Sequence, residues 1–189
     1  MEEVLDQPLF NETTTGNIKY GGFWARLGAQ FLDGLILVPI SFGLTYFNTT
    51  SWKSALLLVI VTAIGIAYKP FMEFTYGATF GKMALKLKVT NTDFEKADLL
   101  EILLRNIFHI VPQLITLLLT ITMVYNNPDF ESVSGWGEYT TFTQQFSVLQ
   151  YVNYAAGLIM IIDAIMLAAD EQKRSLHDRI GGTFVIYQS

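Results

Sequence analysis

Cysteine is absent from the sequence, and histidine occurs only as His109 and His177. The first absence excludes disulfides, thiolate metal sites and thiol nucleophiles. The second leaves too few imidazoles for a spaced set of metal ligands, and no cofactor is expected. Basic residues are missing from two stretches. Residues 1–17 carry Glu2, Glu3, Asp6 and Glu12 with no Lys, no Arg and no apolar core, which is not the pattern of a secretory signal. Residues 1–20 are therefore expected to form an acidic tail. Asn126–Ser147 carries Asp129, Glu131 and Glu138, again without Lys or Arg. Catalytic signatures are missing too. There is no nucleophile elbow or zinc-protease helix. GATFGKM is one residue short of a phosphate-binding loop, with Met83 where Ser or Thr would meet magnesium. The chain does not read as an enzyme, and its few scattered basic residues do not read as a nucleic-acid surface.

Apolar residues are abundant, 51% of the chain, and they gather into long blocks. A hydrocarbon core of about 30 Å needs roughly 20 mostly apolar residues per helix. Phe23–Phe47, Ser54–Met72, Ile107–Tyr125 and Val148–Ala169 meet that length. They predict an all-α integral membrane protein, a bundle of four transmembrane helices spanning 23–47, 54–74, 102–125 and 148–169 within a membrane domain of 21–189. Lys82, Lys86, Lys88, Lys96 and Arg105 in the middle connection, with Lys173, Arg174 and Arg179 in the tail 170–189, put both termini and the middle loop in the cytoplasm. Trp24, Tyr46, Trp52, Tyr125 and Tyr151 fall at the helix ends, where aromatic belts form. Lys69–Pro70 is taken as the inner end of the second helix, with the lysine snorkelling toward water.

The middle loop is the most structured polar stretch. KMALKLKVT alternates Leu85, Leu87 and Val89 with Lys86 and Lys88, the period of an extended segment lying at the membrane interface. Asn91–Thr92–Asp93 reads as a turn, and Asp98 with Glu101 as a helix cap before LLEILLRN. Gly81 is expected to let the chain turn. Lys82, Lys86 and Lys88 are candidate contacts for anionic lipid headgroups at about 1 kcal/mol each, although the positive-inside bias alone also accounts for them.

Charge inside the first block is costly, on the order of 2.5–3.5 kcal/mol near the bilayer centre. Arg26 and Asp33, seven residues apart, share one helix face with Gln30 between them. They lie about 10 Å apart along the axis, too far for a direct pair, and depth places Asp163 of the fourth block between them. Lys69 and Arg105 approach from their own inner ends. Such residues mark ion or proton pathways, or a fixed polar cluster that holds helices together.

Three segments resemble the RDD family of bacterial membrane proteins, named for one arginine and two aspartates. ARLGAQFLDGLIL supplies Arg26 and Asp33. TFGKMALKLKV followed by LLRN is similar to the family's Thr-x-Gly-Lys segment and its later Arg-Asn. SLHDRIGGTFVIY is similar to its closing His-Asp, Gly-Thr and Val pattern. The second named aspartate falls on Asp178, with Asp163 as the alternative. Asp178 has Arg26, Arg105 and Arg174 as candidate partners. One departure is Lys86 where many members have glycine, which predicts a less tightly turned surface segment.

The resemblance implies a multi-pass protein of the bacterial plasma (inner) membrane, and for some members the exchange of Na+, K+ or Li+ for protons. On that reading Arg26, Gln30, Asp33, Asp163 and Asp178 form an ion and proton network. One carboxylate trades a proton for a cation while Arg26 balances the empty site. Four helices are few for a transport path, so a homo-oligomer is expected. The rival is a non-catalytic adaptor or assembly subunit of a larger membrane complex, docking through its acidic tail and SVSGWGEYTTF.

Overall fold

A computed structural model describes residues 18–188, so most of the acidic stretch 1–20 lies outside the described residues. Four helices are long and apolar enough to cross a membrane: Phe23–Trp52, Ala55–Tyr76, Ile107–Tyr125 and Ser147–Ala169. The first consists of α1 (Phe23–Phe47) and a π-helical turn, Asn48–Trp52. The second is α2 (Ala55–Tyr76), begun by Ser54, whose hydroxyl accepts from the Leu57 N–H at 3.3 Å. The third is α5 (Ile107–Thr120) closed by a π-helical turn, Ile121–Tyr125. The fourth is α7 (Ser147–Ala169). At 1.5 Å per residue, about 20 residues cover the hydrocarbon thickness.

The helices form a ring in which α1 packs on α2 and α7, α2 on α5, and α5 on α7. Their outer faces carry exposed apolar side chains such as Phe31, Leu35, Leu56, Ile64, Leu118 and Ile165. That surface suits a lipid solvent, in which polar groups must be satisfied internally.

The all-α expectation needs correction at one end. There β1 (Leu87–Asn91) and β2 (Thr183–Tyr187) pair antiparallel, Val89 opposite Val185, and Tyr20 bridges the far side of β2 at Ile186. Tail 170–189 is thus no free tail. It turns at Ser175 into α8 (Leu176–Ile180) and returns as β2. Leu87, Val89 and Val185 pack with Ala29, Ala97 and Ile102 into a small apolar core beneath the bundle. We call this the sheet end, and the opposite side the loop end. The loop end is capped by a 3-10 turn, Pro128–Ser132, and α6 (Trp136–Gln144), where Phe130 packs with Val124, Val133 and Leu149.

Two helix limits also differ. Pro70 does not end α2, which runs six residues further to Tyr76. The expected helix over 102–125 starts at Leu99 and breaks at Asn106, leaving α4 (Leu99–Arg105) apart from α5. The Asp98–Glu101 capping box that begins α4 is present in full, and the turn read at 91–93 is confined to 92–93, because Asn91 is the last residue of β1. Alternation starts only at Leu87, because Phe80–Ala84 forms α3. Lys86 adopts φ 55°, the left-handed conformation that glycine favours, so the segment turns sharply even without glycine.

Candidate functional site

Asp178 and Glu73 are the anionic centres of the sheet end, 0% and 2% exposed. Asp178 is placed by a capping box: Ser175 starts α8, and its backbone N–H donates to Asp178 Oδ2 at 3.0 Å. Both Arg26, from α1, and Arg105, from α4, donate to this carboxylate. Arg26 also donates to the carbonyls of Gly21 and Lys173, tying the start of α1 to the returning chain. Arg105 reaches Thr183 Oγ1 at 2.9 Å and Glu73 Oε2 at 3.3 Å. Glu73 further accepts from Lys82 and, at 2.9 Å, from the Asn106 amide. A chain of ion pairs, Arg26–Asp178–Arg105–Glu73–Lys82, therefore runs across α1, α8, α4, α2 and α3. Breaking such a buried pair leaves an uncompensated charge at a cost of about 3–5 kcal/mol.

Burial lowers the Lys82 pKa to about 7, although Glu73 pulls the other way. It also lowers that of Arg105, again against Glu73. Burial, reinforced by the Arg105 charge, brings His177 down to about 3, so its imidazole is neutral.

Asp33 stands apart from this chain. It accepts from Tyr68 Oη at 2.8 Å, Thr79 Oγ1 at 2.6 Å and the Gly81 N–H at 2.7 Å. It thereby fastens the first turn of α3 to α1. The fit needs glycine, because a Cβ on Gly81 would overlap the Ala29 carbonyl. Asp163 meets His177 instead. The backbone N–H of His177 lies 3.0 Å from Asp163 Oδ1, and His177 Nδ1 lies 2.7 Å from the same atom. Both contacts fall on Oδ1.

Arg26, Asp33 and Asp163 thus do not bond to one another, and Asp163 does not sit between the other two as a bridge. All three, with Gln30, nevertheless line one cavity of about 620 Å3. A second cavity, of about 580 Å3, lies among α2, α5 and α7 and reaches Thr120 near the loop end. Gln30, Lys69, Arg105, His109, Met160, Asp163 and His177 line both, a mostly polar waist where the two spaces adjoin. Asp178 is the aspartate paired with Arg26, the first of the two alternatives, while Asp163 is the one facing the cavities.

Lys82 is no headgroup contact: it is 7% exposed and ion-paired to Glu73. Its neighbour Gly81 serves close packing rather than a surface turn. Lys86 is exposed, and the stem of Lys88 lies against Gly77. Glu73 was missed by sequence reasoning. The available signal was its position four residues after Lys69, on the same face of a helix that Pro70 seemed to end. Among the described residues no three His, Cys, Asp or Glu side chains converge as for a chelated metal.

These features define a multi-pass membrane protein with ionised groups sequestered between and beneath its helices. Residues 20–182 match the RDD family, and the chain belongs to it. It is also 28% identical over 170 residues to the uncharacterized protein YckC of Bacillus subtilis (strain 168), covering 89% of this chain and 85% of that one.

Proposed function

We propose that this protein exchanges a monovalent cation for protons across the bacterial inner membrane, with Asp163 rather than Asp33 as the carboxylate that meets the cation. The observation that carries this reading is that Asp163 lines both interhelical cavities while its two hydrogen bonds to His177 fall on Oδ1 alone. Ionisable groups facing such spaces inside a membrane bundle mark ion and proton pathways. A hard monovalent cation takes oxygen ligands; Asp163 offers one, and Gln30, Gln113 and Asn153 line the adjoining space. Asp33, by contrast, has its oxygens occupied by three donors. The sheet end faces the cytoplasm on this proposal, because Lys86, Lys88, Lys96 and Arg179 gather there and Asp129, Glu131 and Glu138 at the loop end.

The test is cation-driven proton flux in proteoliposomes for wild type, Asp163→Asn and Asp33→Asn at matched monodispersity. Loss of flux in Asp163→Asn, with flux per folded molecule retained in Asp33→Asn, is the expected result. Absence of flux from folded wild type with Na+, K+ and Li+ across a range of pH would discard exchange in favour of an adaptor role.

A further inference from the structure

Four cationic side chains occupy the polar interior of the sheet end: Arg26, Lys69, Lys82 and Arg105. Four carboxylates face them: Asp33, Glu73, Asp163 and Asp178. Counted by formal charge with neutral imidazoles, the cations and carboxylates are equal in number. Three of the cations are committed to named partners, Arg26 to Asp178, Lys82 to Glu73 and Arg105 to both. Lys69 differs. It forms no ion pair or side-chain hydrogen bond among the described residues, and it lines both cavities together with Asp163. Its own helix neighbour, Glu73, is already occupied by Lys82, Arg105 and Asn106.

We infer that Lys69 is the group whose proton leaves when a cation enters, so that exchange is one for one and moves no net charge. The inference rests on the exchange reading above and deepens it. A cation arriving beside Asp163 adds one positive charge to a balanced, poorly solvated interior, where excess charge is costly. Balance returns only if an existing positive charge goes. Arg26 and Arg105 cannot shed a proton in practice, and releasing the Lys82 proton would break an ion pair that anchors α3. The Lys69 ammonium can be lost without breaking a bond: Lys69–NH3+ and M+ become Lys69–NH2, bound M+ and a released H+. The groups around Lys69 are Tyr68 and Glu73 on its own helix, Arg26, Gln30 and Asp33 from α1, Lys82 from α3, Arg105 from α4, His109 from α5, Asp163 from α7 and His177 from α8. Of the cations in that set, only Lys69 is an ammonium without a committed partner.

The experiment adds NaCl, KCl or LiCl to the full chain, purified in detergent and weakly buffered, and reads proton release with a pH dye and cation binding by calorimetry. Wild type is expected to release one proton for each cation bound, as ligand-linked deprotonation requires. Lys69→Gln should bind the cation and release none. Lys69→Arg, which keeps the charge, should bind roughly tenfold more weakly or worse and also release none. If either variant releases protons like wild type, the proton comes from elsewhere and the assignment to Lys69 is overturned, while exchange itself stands. If wild type binds no cation and shows no flux, exchange fails and the Lys69 assignment fails with it.

Discussion

Arg26 and Asp178, 152 positions apart, form an ion pair that joins the start of the first membrane helix to the turn after the last. Arg105 shares the same carboxylate and passes the connection to Glu73 and Lys82. The ionised groups nearest the sheet are thus structural clamps, even where Arg26, Lys82 and Arg105 border a cavity, whereas Lys69 and Asp163 line both cavities outside that chain of pairs. Each set answers to a different mutation.

Removing Glu73 should be the most damaging single change at the sheet end. Glu73→Gln leaves Lys82 and part of Arg105 without a counter-charge, at a cost of about 3–5 kcal/mol. Thermal unfolding in detergent should show a large fall in Tm. An unchanged Tm would mean that the Glu73 pairs are dispensable.

Gly81→Ala puts a Cβ into the Ala29 carbonyl and against the Asp33 backbone. Either α3 moves away from α1 or the bundle strains, at about 1–3 kcal/mol. Size-exclusion profiles and melting of the variant will register it, and Ala substitution at Gly157, whose Cβ direction is open, serves as the neutral control.

Asp33→Asn replaces an acceptor of three hydrogen bonds by an amide that must turn its NH2 toward a donor. The expected loss is about 1–3 kcal/mol, read as a lower Tm with flux per folded molecule kept. Asp163→Asn should give the reverse, a near-wild-type melt without flux.

Lys82 carries a folded pKa of about 7 against an ordinary 10.5. Between those values the unfolded chain binds more protons than the folded one, so stability rises with pH across that window and is flat below it. Tm measured from about pH 7 to 9 should climb in wild type. Lys82→Met should remove that part of the slope.

Lys86→Gly removes the strain of a side chain at φ 55°. The change should add about 1 kcal/mol of stability and leave flux untouched, which a paired melt and flux measurement will check.

The spans were legible because lipid imposes long apolar runs, and the Asp98–Glu101 cap was legible because its chemistry is local. The sheet was not: TFVIY is five residues long, and its partner strand lies across two membrane helices in sequence. Lys82 looked like a surface lysine because nothing in its immediate neighbours announces Glu73, nine positions earlier. Pro70 concealed Glu73 by imitating a helix end. Asp33 was read as an ion site because an isolated carboxylate in an apolar run carries no local trace of Thr79 and Gly81, which approach from a separate helix. Arg26 with Asp178 was visible only as one of several pairings; the capping box at Ser175 selects it.

Strand β2 and Asp178 are made after all four spans, and this orders the protein's own biogenesis. When α1 and α4 leave the ribosome, the carboxylate that neutralises Arg26 and Arg105 has not been synthesised. Until Ser175–Tyr187 emerges, Arg105 has only Glu73 and Arg26 has no carboxylate partner, and an unpaired guanidinium is costly to bury. Docking of Ser175–Tyr187 therefore supplies the carboxylate that Arg26 lacks until then, and a nascent chain halted before Ser175 would leave the start of α1 without its ion pair.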